Sequence, residues 1–192
     1  MNADPDTTAP RAWLSTPRRR ILVLVALALV LGVVLTALLW RGPSWTAYEL
    51  AGTGLVVELP VSPEGSRAGT AAEPVPLFQA RSADLAVLAS GGAVPAGAAP
   101  SAAFLARQAM AQVQLSPGFT DLEYQLGEGR IDGTPCLRVG GTFRRDGVPC
   151  RLSGVFIVTA ETHGHLLCFW QTAEGARLAR RVLASVRPSS SR

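Results

Sequence analysis

The 192-residue chain contains no lysine; all 18 of its basic residues are arginine. Beside abundant Ala, Gly, Val and Leu, this points to a GC-rich coding bias rather than to phosphate recognition. A Walker loop is missing, and Gly52-x-Gly54 lacks the following helix that a dinucleotide fingerprint requires. No Gly-x-Ser-x-Gly elbow occurs, so a serine hydrolase of that kind is excluded. Cysteine is scarce: Cys136, Cys150 and Cys168 match no zinc spacing, and three is an odd number, so at least one is unpaired within the chain. Histidine occurs only at His163 and His165. A dense basic stripe is also missing. Residues 41–192 carry 14 Arg against 12 Asp and Glu, a net of +2, which is no electrostatic footprint for nucleic acid.

What is present begins with Ile21 to Trp40, a run without charge that directly follows Arg18-Arg19-Arg20. At about 1.5 Å per residue a helix of this length spans the roughly 30 Å hydrocarbon core of a bilayer. Lipid offers the backbone no hydrogen bonds, so the segment is expected to be a single transmembrane helix. Arg11, Arg18, Arg19 and Arg20 precede it and only Arg41 follows closely, which sets the N-terminus in the cytoplasm and the rest outside the cell membrane. Trp40 and Trp45 flank the exit, where amphipathic rings favour headgroups. The run is too long for a signal peptide, and Leu38-Leu39-Trp40-Arg41-Gly42-Pro43 offers no small-x-small cleavage site, so the tether is expected to stay. No cysteine follows the run, against a lipoprotein. Ala28, Gly32 and Thr36 recur at i, i+4, i+8, a small-residue face suited to homodimerisation in the membrane. The expected organisation is a cytoplasmic tail (1–20), the span (21–40), a short tether (41–44), one extracytoplasmic domain (45–188) and a disordered end (189–192).

The exported segment reads as mixed α and β. Trp45–Leu50 and Leu55–Leu59 flank Ala51-Gly52-Thr53-Gly54, a hairpin pattern. Residues 61–74 are polar and read as a loop. Val75–Ala80 and Leu85–Ala89 read as strands, and Gly91–Pro100 as a linker. Ser101 is suited to cap a helix to about Leu115, with Leu105, Ala109 and Val113, flanked by Ala106 and Met110, on its buried face. Strands follow at Leu122–Gly127, at Cys136–Phe143 after a turn at Gly133-Thr134-Pro135, at Val148–Thr159, and at Leu166–Gln171 after a turn at Glu161–His165. A helix over Ala173–Ser185 closes the domain. Asp146-Gly147 is a strong two-residue hairpin signal. It pairs Arg145 with Val148 and Phe143 with Cys150, and so puts Leu137, Val139, Phe143, Cys150, Leu152 and Phe156 on one face. Cys136, opposite Ile157, falls on the other face, which disfavours a Cys136–Cys150 disulfide. The fold class is α+β, an antiparallel sheet with helices packed on it.

Three stretches carry a family resemblance: Gly54-Leu55-Val56-Val57-Glu58-Leu59-Pro60 near the domain start, Ile131-Asp132-Gly133-Thr134-Pro135 before a long hairpin, and the run from Ala179 to Pro188 at the end. With the element order they make residues 45–188 resemble the PsbP-like superfamily, an α-β-α sandwich on a bent antiparallel sheet. The resemblance implies a closing helix with a short return after it. It also implies non-enzymatic roles as extrinsic subunits, assembly factors or envelope proteins, and it offers no catalytic motif.

Candidate sites are few. His163 and His165, two apart, are weak candidates for a shared metal, with Glu161 or Glu174 as a third ligand. Cys168, between Leu167 and Phe169, reads as inert packing. Arg144 and Arg145, near Arg138 and Arg151, form the densest charge cluster outside the span and are the candidate partner-binding residues. No catalytic constellation and no cofactor is expected. The expected function is a membrane-anchored accessory or assembly module that binds another envelope protein. The alternatives are a module binding a lipid or small ligand between the sheet and the 101–115 helix, and an enzyme with a cryptic site.

Overall fold

The computed structural model describes residues 44–69, 74–95, 97 and 99–189. The expected span and its small-residue face lie outside them. Among the described residues no helix is long and apolar enough to cross a membrane.

The described chain forms ten strands and two helices: β1 (Thr46–Leu50), β2 (Leu55–Leu59), β3 (Glu64–Gly69), β4 (Pro74–Arg81), β5 (Leu85–Ala93), α1 (Ala102–Gln114), β6 (Phe119–Ile131), β7 (Thr134–Arg145), β8 (Val148–Val158), β9 (Thr162–Trp170), α2 (Ala173–Ser185) and β10 (Arg187–Pro188). Seven strands make one antiparallel sheet in the order β3-β4-β5-β9-β8-β7-β6, and β1-β2-β10 make a second, smaller one. Strand β10 is the short return after the closing helix. It pairs with β2.

Two hairpins order the large sheet, and each turns on an Asp-Gly pair with both residues at positive φ: Asp132 (48°) and Gly133 (80°), Asp146 (51°) and Gly147 (79°). This is the turn whose twist matches that of the flanking strands. In the second hairpin Arg145 faces Val148, Phe143 faces Cys150 and Cys136 faces Ile157, the register expected from the sequence. The first turn corrects an expectation: it closes at Asp132-Gly133, and Pro135 already lies in β7 opposite Arg130. A proline is tolerated there because its missing N–H faces β8, whose pairing with β7 begins only at Cys136. Pro149 sits at the same place after its own turn, and β8 meets β9 only from Arg151.

Two further elements differ from the sequence reading. The polar stretch 61–74 contains β3, an exposed edge strand paired with β4, whose residues show no apolar period. Strand β9 starts at Thr162, so the histidines lie in a strand rather than a turn. The turn is made earlier, by Thr159: its hydroxyl donates to Thr162 O (3.0 Å) and accepts from Thr162 N (3.0 Å) and Glu161 N (3.3 Å). Trp45 is half-buried against the core beneath Arg181, whose guanidinium lies 4.0 Å from the ring centroid.

Two cores flank the large sheet. One lies between the sheet, the small sheet and α2, and holds Leu55, Val57, Leu166, Cys168, Leu178 and Val182, among others. The other lies beneath α1 and holds Ala109, Met110, Val113, Phe143, Leu152 and Phe156. Ser101 caps α1, accepting from Phe104 N at 3.1 Å, and the expected buried face is observed, with Leu105 only half-buried. Cys136 belongs to the first core and Cys150 to the second. All three cysteines are free and buried.

Candidate functional site

The two faces of the seven-stranded sheet are covered unequally. Strands lie about 4.8 Å apart, so seven of them span roughly 29 Å, while one helix covers about 10 Å. Helix α2 and the small sheet together seal one face, with α2 packing on β2, β5, β8 and β9. On the other face α1 packs over β6, β7 and β8. Among the described residues no helix packs on the β4–β5–β9 half of that face, and a groove of about 480 Å³ lies there.

The groove is built from distant parts of the chain. Strand alternation brings Ala86 and Leu88 of β5 to its floor beside Phe169 of β9, and the end of α1 contributes Val113 and Ser116 to its wall. Three phenylalanines meet at its end: Phe119 stacks on Phe143 (centroids 4.8 Å apart), and Phe169 meets both edge-on at 6.4 and 5.9 Å. Arg145 lies 5.7 Å from the Phe119 centroid, a cation over an aromatic face. Cys150 lines the groove and accepts from Gln171 Nε2 at 3.2 Å. The opposite rim is fixed by Thr172, whose hydroxyl donates to Asp84 (2.8 Å) while accepting from Gly175 N (3.0 Å) to cap α2. Gly175 permits this junction, since a Cβ there would fall 2.2 Å from Asp84 O.

The arginines expected to act together are separated by strand alternation. Arg144 donates to Gly147 O (2.8 Å) and lies 3.6 Å from Asp121, the positive-φ residue in the bulge of β6. It pins the hairpin. Of the two, only Arg145 lines the groove, which Arg81 also lines from the end of β4.

His163 and His165 project from the same face of β9 as Phe169. His165 stacks on Phe156 at 5.2 Å, and its pKa is pushed down to about 4, chiefly by burial and secondarily by His163. Burial lowers that of His163 too. His163 lies against Gly92, and its Nδ1 is buried without a partner. Of the expected third ligands, Glu174 is held by Arg177 on α2, which keeps its carboxyl below the usual range, and Glu161 is exposed. No group of three His, Cys, Asp or Glu suited to a metal occurs among the described residues. Burial pushes the Cys168 thiol up, the opposite of what a nucleophile needs.

No family model matches the chain, and no curated protein matches it. Solved structures do. Cyanobacterial PsbP (CyanoP) from Synechocystis sp. PCC 6803 superposes with a TM-score of 0.52 at 14% identity, over 76% of this chain and 93% of that one. LpqN of Mycobacterium tuberculosis, described as involved in cell envelope biogenesis, gives 0.43 at 14% identity over 74% and 89%. A Pseudomonas aeruginosa protein of unknown function, PA94, gives 0.36 at 20% identity over 69% and 87%. The likeness to the cyanobacterial protein shows a PsbP-like α+β fold.

Proposed function

We propose that this protein is an accessory or assembly module of the cell envelope, tethered by residues 21–40 with its folded domain outside the membrane, and that it acts by binding another envelope protein rather than by catalysis. The observation that supports this most is the groove on the half-covered face. It offers a floor of Ala86, Leu88 and Phe169 at the protein surface, with the guanidiniums of Arg81 and Arg145 and the carboxylate of Asp84 in its lining. Clefts that join apolar side chains to a few placed polar groups suit recognition. Arg145 favours a partner segment that pairs an apolar side chain with a carboxylate. The test is a photo-crosslinking side chain placed at Leu88 in intact cells, with the captured neighbour identified by mass spectrometry. Capture of one envelope protein from Leu88, and not from Arg180 on the solvated side of α2, is the expected result. Equal capture from both positions, or none, refutes the reading.

The size of the groove favours a second reading, a module for a lipid or small ligand, because about 480 Å³ lies in the range of small-molecule sites. Native mass spectrometry of the full chain from mild detergent separates the two readings. A stoichiometric adduct lost in Leu88→Glu supports the ligand; an adduct-free chain supports the protein partner.

A further inference from the structure

Among the described residues strand β6 ends the large sheet, and one side of its backbone has no pairing strand. Natural edges are blunted by charged side chains, proline or bulges. Here the bulge is confined to Thr120–Glu123, and from Glu123 to Ile131 the ladder is regular, lacks proline and carries its charges at Glu123, Glu128 and Arg130. Two large apolar side chains on this stretch, Tyr124 and Leu126, are 39% and 36% exposed.

The neighbouring turn sets which backbone groups are free. A two-residue turn at Asp132-Gly133 makes Ile131 and Thr134 a hydrogen-bonded pair. The odd-numbered residues of β6 therefore spend their N–H and C=O groups on β7. Tyr124, Leu126, Glu128 and Arg130 point theirs outward. A second strand pairs only by opposing outward groups, so in an antiparallel pairing of β6 with itself both opposed residues are even-numbered or both odd.

We infer that β6 pairs with β6 of a second copy of this chain, antiparallel, about a two-fold axis at Leu126. In this register Leu126 faces Leu126 of the copy. Tyr124 faces Glu128, so a phenol donor meets a carboxylate acceptor, twice by symmetry. Gln125 faces Gly127 and Glu123 faces Gly129, so no like charges are opposed. Moving the axis to Gln125 shortens the regular overlap at the bulge, and moving it to Gly127 brings the two Glu128 side chains diagonally together. The strand is thus complementary to itself in one register, which is the ground for choosing a second copy over an unrelated strand. The ladder is short, so it is a weak contact in dilute solution, strengthened when both chains are confined to one membrane. The inference does not depend on the groove.

The test uses the full chain in its membrane under mild oxidation. The native thiols are buried, so an introduced cysteine reacts alone. Opposed Cα atoms of a hydrogen-bonded antiparallel pair lie about 5.5 Å apart, within disulfide range. Leu126→Cys is expected to form a disulfide-linked dimer about tenfold faster than Phe104→Cys, which places a thiol on the 60% exposed site of α1. Since Leu126→Cys itself removes an apolar contact, a second arm co-expresses Tyr124→Cys and Glu128→Cys chains. These are expected to crosslink to each other, and Tyr124→Cys not to itself. Equal rates at positions 126 and 104, crosslinks to a different protein, or Tyr124→Cys self-crosslinking would overturn the pairing.

Discussion

The two faces of the seven-stranded sheet receive similar side chains and very different cover. One is closed by α2 and the β1–β2–β10 sheet, and the residues beneath, such as Val57 and Leu166, are fully buried. Among the described residues the other is covered by a helix only over β6–β8, and Leu88 and Phe169 stay partly exposed beside the helix end. The first arrangement stabilises the domain. The second leaves an apolar surface that stabilises little and is free to bind.

The sharpest way to break this contrast is to truncate a side chain on each face. Leu166→Ala on the sealed face should cost about 3–4 kcal/mol, the transfer and cavity terms together, whereas Leu88→Ala should cost under about 1 kcal/mol, measured by urea unfolding. Similar losses at the two sites would remove the distinction. Next in size is an acid sensitivity carried by the α1 face. The His165 imidazole titrates near 6.5 unfolded and about 4 folded, so between these values the unfolded chain binds more protons. Stability from this group is therefore complete above 6.5 and lost as pH falls toward 4, by up to about 3 kcal/mol. His165→Phe keeps the stack on Phe156 and should flatten that part of the wild-type stability–pH curve. A curve of unchanged slope would contradict this account. Smaller again, Ser101→Ala should cost about 1 kcal/mol by uncapping α1. Smallest, Arg145→Gln, an exposed side chain with weak ion pairing, should change stability by less than about 0.5 kcal/mol while weakening partner capture.

The parts that were legible in the sequence share a local cause. Asp146-Gly147 sets its own hairpin register, and that register alone sorts Cys136 and Cys150 onto opposite faces. Ser101 and the apolar spacing after it mark α1. The same chemistry stands at Asp132-Gly133, where Gly133-Thr134-Pro135 drew attention one residue too far along. His163-Gly164-His165 resembled a turn because its residues are polar, while the hydroxyl of Thr159 had already closed one. Strand β3 has no apolar alternation to read, since both its faces are exposed. The groove could not be read at all: Leu88, Val113, Phe119, Phe143 and Phe169 come from five elements, and only the strand order joins them. Arg145 was legible as a candidate, but its separation from Arg144 follows from the strand alternation.

The central claim is that the half-covered face binds and the sealed face holds the fold. It is tested most directly by Leu88→Glu, which puts a carboxylate on the groove floor, in cells carrying a photo-crosslinker at Ala86. The account predicts a melting temperature within a few degrees of the parent, from the half-exposed site, and loss of the captured neighbour. Retention of that neighbour at undiminished yield, with the carboxylate in place, would contradict it.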